Sequence, residues 1–298
     1  MTGPYDNSER QDLTICRSRW WLNLLYVNNI VEADKMCFGW SWYLANDMQF
    51  YVIAPLALLP WAYGKKIIGI LVCLALVAVH IISNGVIVHR QKTMFLSTEN
   101  GDYMKNVYYP PWTRVGPFFI GLLLGYTLHV TGSKYKIRKM FAALGWLVAA
   151  AAGLTCVYVM FDNVKNFYQT FQGAWNMDQY TAYETLSRPV WACAVAWVIF
   201  ACCSGSGGFV NTFLSWSGWT PLSRLTYGVY LFHLITFFVL LANRITPFHA
   251  STWTMTDMTV SVTVLTFMVS FVFSLLVESP TLGLEKLLLG SSRGKKSH

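Results

Sequence analysis

Of the 298 residues, 55% are apolar and 16% aromatic, while only 12% carry a charge, against about 25% in ordinary soluble domains. That balance excludes a soluble globular enzyme and points to an all-α polytopic membrane protein. The formal charge of +8 does not mark a nucleic-acid binder, because the basic residues sit in short loops between apolar spans, where they act as topology signals.

Residues 1–37 are polar and mixed in charge, with Arg10, Arg17, Arg19 and Lys35 against Asp6, Glu9, Asp12, Glu32 and Asp34, and the first ten residues lack the apolar core of a signal peptide. Cys16 and Cys37 flank this stretch and are candidates for a disulfide if it faces an oxidising compartment. About seven helical spans follow, expected near 38–61, 66–89, 112–131, 140–161, 188–203, 224–243 and 257–277. Cys73, Cys156, Cys193, Cys202 and Cys203 fall within or at the edges of these spans as small apolar residues.

The loop with Lys65 and Lys66, the loop with Lys134, Lys136, Arg138 and Lys139, and the tail with Arg293, Lys295 and Lys296 share one side, which the positive-inside rule makes cytoplasmic. The longer loops 90–111 and 162–187, carrying Glu99, Asp102, Asp162, Asp178 and Glu184, are then outward. Seven crossings and an internal C-terminus put residues 1–37 outside. The expected organisation is an extracytoplasmic segment at 1–37, read as an inter-helix loop of a larger bundle, a transmembrane domain at 38–277 and a cytoplasmic tail at 278–298.

The first span holds an acid. A carboxylate at the centre of a span costs about 2.5–3.5 kcal/mol, so Asp47 stands out, with Tyr43, Asp47 and Tyr51 at i, i+4 and i+8 and Trp40 seven before Asp47 on the same helix face. Two readings stay open: a functional charge in a wet cavity, or a helix-end residue bonded to a neighbouring helix. His80 and Arg114 fall in the same outward half. Either they form a network with Asp47, in which Arg114 holds the acid ionised or His80 exchanges its proton, or they serve as a helix anchor and an interhelical hydrogen bond.

Gly121 and Gly125 satisfy G-x-x-x-G, a weak signal for close helix approach. Ser204 to Gly208 is a flexible connector without the lysine of a phosphate loop. Tyr230 and His233 stand at i, i+3 near mid-span, and Glu278-Ser279-Pro280 closes the last helix. The chain contains no G-x-S-x-G, H-E-x-x-H, Cys/His metal spacing or dinucleotide fingerprint, so neither a metal site nor a bound cofactor is expected.

Trp42-Tyr43-Leu44-Ala45-Asn46-Asp47-Met48-Gln49-Phe50-Tyr51, followed by Pro55, resembles the W-S-L-x-x-E-x-Q-F-Y…P signature of the acyltransferase-3 membrane family, and the W-Y-L-A-N-D-M-Q-F-Y form resembles its animal branch, the nose resistant to fluoxetine proteins. Asp47 stands where the wider family has a glutamate. Arg114 with Gly116-Pro117 and Gly121, the run from Leu222 to His233, and Glu278-Ser279-Pro280 match in the same order, and Cys16…Trp20-Trp21…Asn28-Asn29…Cys37 resembles the animal branch. The likeness runs from Cys16 to about Leu289.

The resemblance implies an integral membrane enzyme that moves an acyl group from a donor such as acyl-coenzyme A to a hydroxyl or amine on a lipid, sugar or peptide. Related animal proteins are associated with lipid and xenobiotic handling. With the polar positions above, the candidate site-shaping residues are Trp42, Asp47, Gln49, Tyr51, His80, Arg114, Tyr230 and His233. The family's catalytic Arg-x10-His pair is absent: none of the six histidines has Arg or Lys eleven positions before it. No catalytic residue is therefore assigned in this chain, and the expectation is that the base lies on an upstream helix of a bundle of about ten spans. The alternative is a non-catalytic transporter or binding protein for lipids or xenobiotics. A seven-helix receptor loses support because its D-R-Y and N-P-x-x-Y landmarks are missing.

Overall fold

Backbone N–H and C=O groups cannot be left open in lipid, and this chain closes them in helices. The computed structural model describes residues 6–92, 103–132, 135–170, 175–243 and 251–288. Glu99, Asp102, Lys134, Arg293, Lys295 and Lys296 lie outside the described residues. Within them the α-helices are α1 (Asp6–Leu24), α2 (Trp42–Ile53), α3 (Pro55–Ala62), α4 (Lys66–Gln91), α5 (Val115–Thr131), α6 (Lys139–Tyr158), α7 (Phe161–Thr170), α8 (Met177–Cys203), α9 (Gly208–Leu214), α10 (Trp219–Ala242), α11 (Thr252–Phe273) and α12 (Ser279–Leu288).

Five described segments are long and apolar enough to cross a membrane: Lys66–Gln91, Lys139–Phe167, Met177–Cys203, Trp219–Leu241 and Thr252–Leu288. Val115–Thr131 is a shorter apolar helix. Only 22% of the most apolar stretch of α4 is buried, so most of that surface is available to lipid rather than to a protein core. The molecule is an all-α polytopic membrane protein.

Three boundaries differ from the sequence expectation. The span expected at 38–61 is two helices, α2 of 12 and α3 of 8 residues, because Pro55 has no N–H to continue the ladder. The span expected at 188–203 starts eleven residues earlier, at Met177, where Asn176 and Gln179 form a reciprocal capping box. That box moves Glu184 out of the expected outward loop 162–187 and into a helix. At the other end of the chain, Glu278-Ser279-Pro280 does not stop the helix. The backbone widens into a π turn at Ser274–Glu278 and continues as α12, with Pro280 in the first helical turn, where its missing N–H is tolerated.

The helices fall into two compact units. In the one spanning Asp12–Phe213, α8 packs against α4, α5 and α6, and α3 folds back on α4. α4 and α5 run antiparallel, as do α6 and α8: late α4 meets the start of α5, where the Ser83 hydroxyl donates to the Trp112 carbonyl at 3.0 Å, and Tyr183 early in α8 donates to the Cys156 carbonyl late in α6 at 2.9 Å. A core of Phe50, Ala57, Cys73, Val115 and Phe119 joins α2, α3, α4 and α5. In the other unit α10 packs on α11, with Ser270 lodged against Gly228 and Phe232 edge-on to Phe273 at 5.1 Å.

Glycine allows close approach at specific points. A Cβ on Gly116 would lie 2.8 Å from the His80 ring, whereas one on Gly121 or Gly125 would meet nothing within 4 Å. Among the described residues, then, the contact-making glycine of α5 is Gly116 and not the G-x-x-x-G pair. Gly116→Ala is expected to destabilise the purified protein by about 1–3 kcal/mol through overpacking, while Gly121→Ala leaves it unchanged. Thermal unfolding in detergent checks both.

Candidate functional site

The site begins with an acid that the bundle must neutralise. Glu184, 6% exposed, takes a hydrogen bond from the Tyr103 hydroxyl to Oε1 at 2.6 Å and pairs through Oε2 with Arg188 Nη2 at 2.7 Å, one helical turn on. Arg188 also donates to the Tyr103 oxygen at 3.4 Å and to the Glu184 carbonyl at 3.3 Å. Burial first, and then the Glu184 carboxylate, push the Tyr103 phenol above its ordinary pKa range, so it stays protonated as the donor. The charge of Arg188 is thereby spent on a partner within its own helix.

Arg114, at the residue before α5, is held differently. Its guanidinium lies over the Tyr108 ring at 4.3 Å and the Trp42 ring at 5.2 Å, and its Nε donates to the Tyr108 carbonyl at 2.8 Å. Its Nη2 is buried with no acceptor, and it makes no ion pair among the described residues. Stacking on aromatic faces contributes about 0.5–2 kcal/mol, but it does not neutralise the charge.

Both arginines reach the wall of a cavity of about 460 Å³, whose other walls include Trp42, Phe50, Pro117, Val157 and Trp191. The cavity lies within the unit Asp12–Phe213. A cavity of this size suits a small ligand or one chain of a lipid.

Below this lies a buried layer around His80, which is 0% exposed. Asn84 Nδ2 donates to the carbonyls of His80 at 2.9 Å and Thr113 at 3.1 Å, and the Thr113 hydroxyl donates toward the Val107 and Pro110 carbonyls. His80 Nε2, Asn84 Oδ1 and Thr185 Oγ1 are buried without partners, room for polar contacts that the side chains here do not supply.

The third part is a knot of amides. Asn29 Nδ2 donates to Asn46 Oδ1 at 2.8 Å, Asn46 Nδ2 to the Tyr109 carbonyl at 3.1 Å, and Gln49 Nε2 to Asn29 Oδ1 and the Tyr26 carbonyl, each at 2.8 Å. Cys16 and Cys37 are joined by a disulfide, Arg19 pairs with Glu32, and the Asn28 amide donates to Ser41 Oγ at 2.9 Å. Together these tie residues 16–41 onto α2.

Of the sequence candidates, Trp42 and Arg114 stand together at the cavity wall, and His80 lies nearby beneath Gly116. Gln49 belongs to the amide knot. Asp47 is exposed, as is Tyr51 at 71%; neither lines the cavity, and the acid paired at the site is Glu184. Tyr230 and His233 belong to the other unit, where His233 Nδ1 donates to the Tyr230 carbonyl of its own helix at 2.6 Å.

Sequence reasoning missed Asn46, Tyr103, Glu184 and Arg188. The last two had a signal: a Glu and an Arg at i, i+4 after an N-x-x-Q capping box. Tyr103 had none, because 81 residues separate it from its partner.

The fold and this site define the class: a polytopic helical membrane protein with a stacked arginine at the wall of an apolar cavity. The comparisons narrow this. The profile of the acyltransferase domain family, acyltransferase-3, matches residues 15–275, and the chain belongs to that family. It is 30% identical over 296 residues to nose resistant to fluoxetine protein 6 of Caenorhabditis elegans, an alignment covering 93% of this chain and 35% of that protein. It is 26% identical over 280 residues to regulator of hypoxia-inducible factor 1 of the same organism, covering 84% of this chain and 51% of the relative. The chain therefore spans between a third and a half of the curated relatives it matches. No solved structure gives a significant match.

Removing one member of a buried pair strands the other. Glu184→Ala is expected to lower stability by about 3–5 kcal/mol and Tyr103→Phe by about 1.5–3 kcal/mol. Replacing Glu184 and Arg188 together by Leu and Met should recover most of the first loss, as measured by thermal unfolding in detergent.

Proposed function

We propose that this chain forms the substrate-holding part of a membrane acyltransferase, in which an acyl group passes from a donor such as acyl-coenzyme A to a hydroxyl or amine of an amphiphilic acceptor. The observation that carries this reading is that the acyltransferase profile spans residues 15–275 and so includes every wall of the cavity described above. The apolar walls would take an acyl chain. Arg114 would face negative charge developing on the carbonyl oxygen, a role in which a preorganised donor contributes about 10²–10³ in rate.

A general base is also required, and no histidine of this chain stands in the family's Arg-x10-His spacing. In this reading the base comes from the part of the family architecture that the chain does not span. The disulfide between Cys16 and Cys37 supports an extracytoplasmic placement of residues 16–41. Lys65 and Lys66 at the start of α4 and Arg138 and Lys139 at the start of α6 lie at the opposite ends of these helices from the site, which supports a cytoplasmic placement of that end.

The test is made on the full-length protein in native-like membranes supplied with labelled acyl-coenzyme A. A covalent acyl product is expected, falling about a hundredfold with Arg114→Ala. Passage of the label across sealed vesicles without any covalent product would replace this reading with transport of lipids or xenobiotics, the alternative that the missing histidine spacing favours.

A further inference from the structure

We propose that the cavity between α2, α5, α6 and α8 binds a monoanionic amphiphile, a carboxylate on an apolar chain, with the carboxylate taken by Arg114. This goes beyond acyl transfer, since a thioester donor has no carboxylate and the binding event needs no chemistry.

The charge count comes first. Among the described residues, three ionised groups that are not exposed meet beside the cavity: Arg114, Arg188 and Glu184. Glu184 and Arg188 neutralise each other at 2.7 Å, and the Tyr103 hydroxyl completes the Glu184 carboxylate. One positive charge remains, on Arg114. Asp47 is exposed and makes no ion pair among the described residues, so it does not supply the counter-charge. A guanidinium withdrawn from water needs an anion, and one unit of negative charge suffices.

Geometry then selects the anion. The rings of Tyr108 and Trp42 cover the guanidinium at 4.3 and 5.2 Å, and the Tyr108 carbonyl occupies Nε, which fixes the plane of the group; with Nη2 buried, Nη1 is the donor left toward the cavity. A carboxylate oxygen accepts from such a donor and supplies the single negative charge. Phosphate groups of coenzyme A carry more charge than the site leaves uncompensated.

The cavity selects what the carboxylate is attached to. Phe50, Pro117, Val157, Trp191 and Ala192 make its walls apolar over about 460 Å³. Acetate would leave them empty, while a fatty-acid chain fills the space between them. The combination of one uncompensated cation and an apolar cavity is the recognition chemistry of a fatty acid or another singly charged lipid carboxylate.

The probe is a diazirine-bearing fatty acid added to the protein in nanodiscs of zwitterionic lipid, with empty discs subtracted. Saturable labelling is expected on peptides containing Pro117, Val157 or Trp191, and oleate should displace it about tenfold to a hundredfold better than oleyl alcohol. Arg114→Gln should lose a similar factor and Arg114→Lys should keep part of the binding. Because Arg114→Gln also removes the cation from the Trp42 and Tyr108 rings, the displacement series on the unaltered protein decides on its own. Equal displacement by the alcohol, stronger displacement by dodecyl phosphate, or labelling confined to α10 and α11 would each overturn the proposal. None of these outcomes depends on whether an acyl product is formed.

Discussion

A charge inside a helical bundle has to be answered within a few ångströms, and the ion pair between Glu184 and Arg188 is where this protein does so. The pair sits one turn apart on α8, the helix that touches α4, α5 and α6. Tyr103, from the segment between α4 and α5, reaches it at 2.6 Å. In a medium of low dielectric such a contact is tightly constrained in distance and direction. It draws the 103–113 segment over the end of the bundle, and with it Tyr108, the platform on which Arg114 is stacked.

The same end of the molecule carries the other polar groups. Late α4 contributes His80 and Asn84, early α5 follows Arg114, and the amides of Asn29, Asn46 and Gln49 bind residues 16–41 to α2. Antiparallel packing brings these stretches to one end, while Lys65 and Lys66 at the start of α4 and Lys139 at the start of α6 stand at the other. Polar chemistry is thus concentrated at one level, and the remaining length of each helix is free to be apolar toward lipid. The cavity opens where the two regimes meet, which is why its walls join indole, proline and valine to two guanidinium groups.

Asp47 illustrates how a motif differs from a site. It is the costly residue of the W-Y-L-A-N-D-M-Q-F-Y stretch, yet Trp42, Tyr43, Asn46 and Phe50 line the cavity and Asp47 does not. On a helix Trp42, Asn46 and Phe50 fall at i, i+4 and i+8, one face, and Tyr43 reaches the cavity one turn before Asp47, which is exposed. Membership of the acyltransferase-3 family rests on the whole run from residue 15 to 275.

Composition and periodicity determined the class: a chain with so few charges and such long apolar runs can satisfy its backbone in a bilayer only as helices. The family signature was equally legible, because it is carried by contiguous residues. Local boundaries were legible in part. Pro55, the Asn176–Gln179 capping box and the π turn before Pro280 are sequence features whose effect depended on backbone geometry that hydropathy does not register. The meeting of Tyr103 with Glu184, of Arg114 with Trp42 and of Asn29 with Asn46 was decided by tertiary structure alone. Each joins residues 17 to 81 positions apart, and no period within one helix encodes which neighbour a side chain will find.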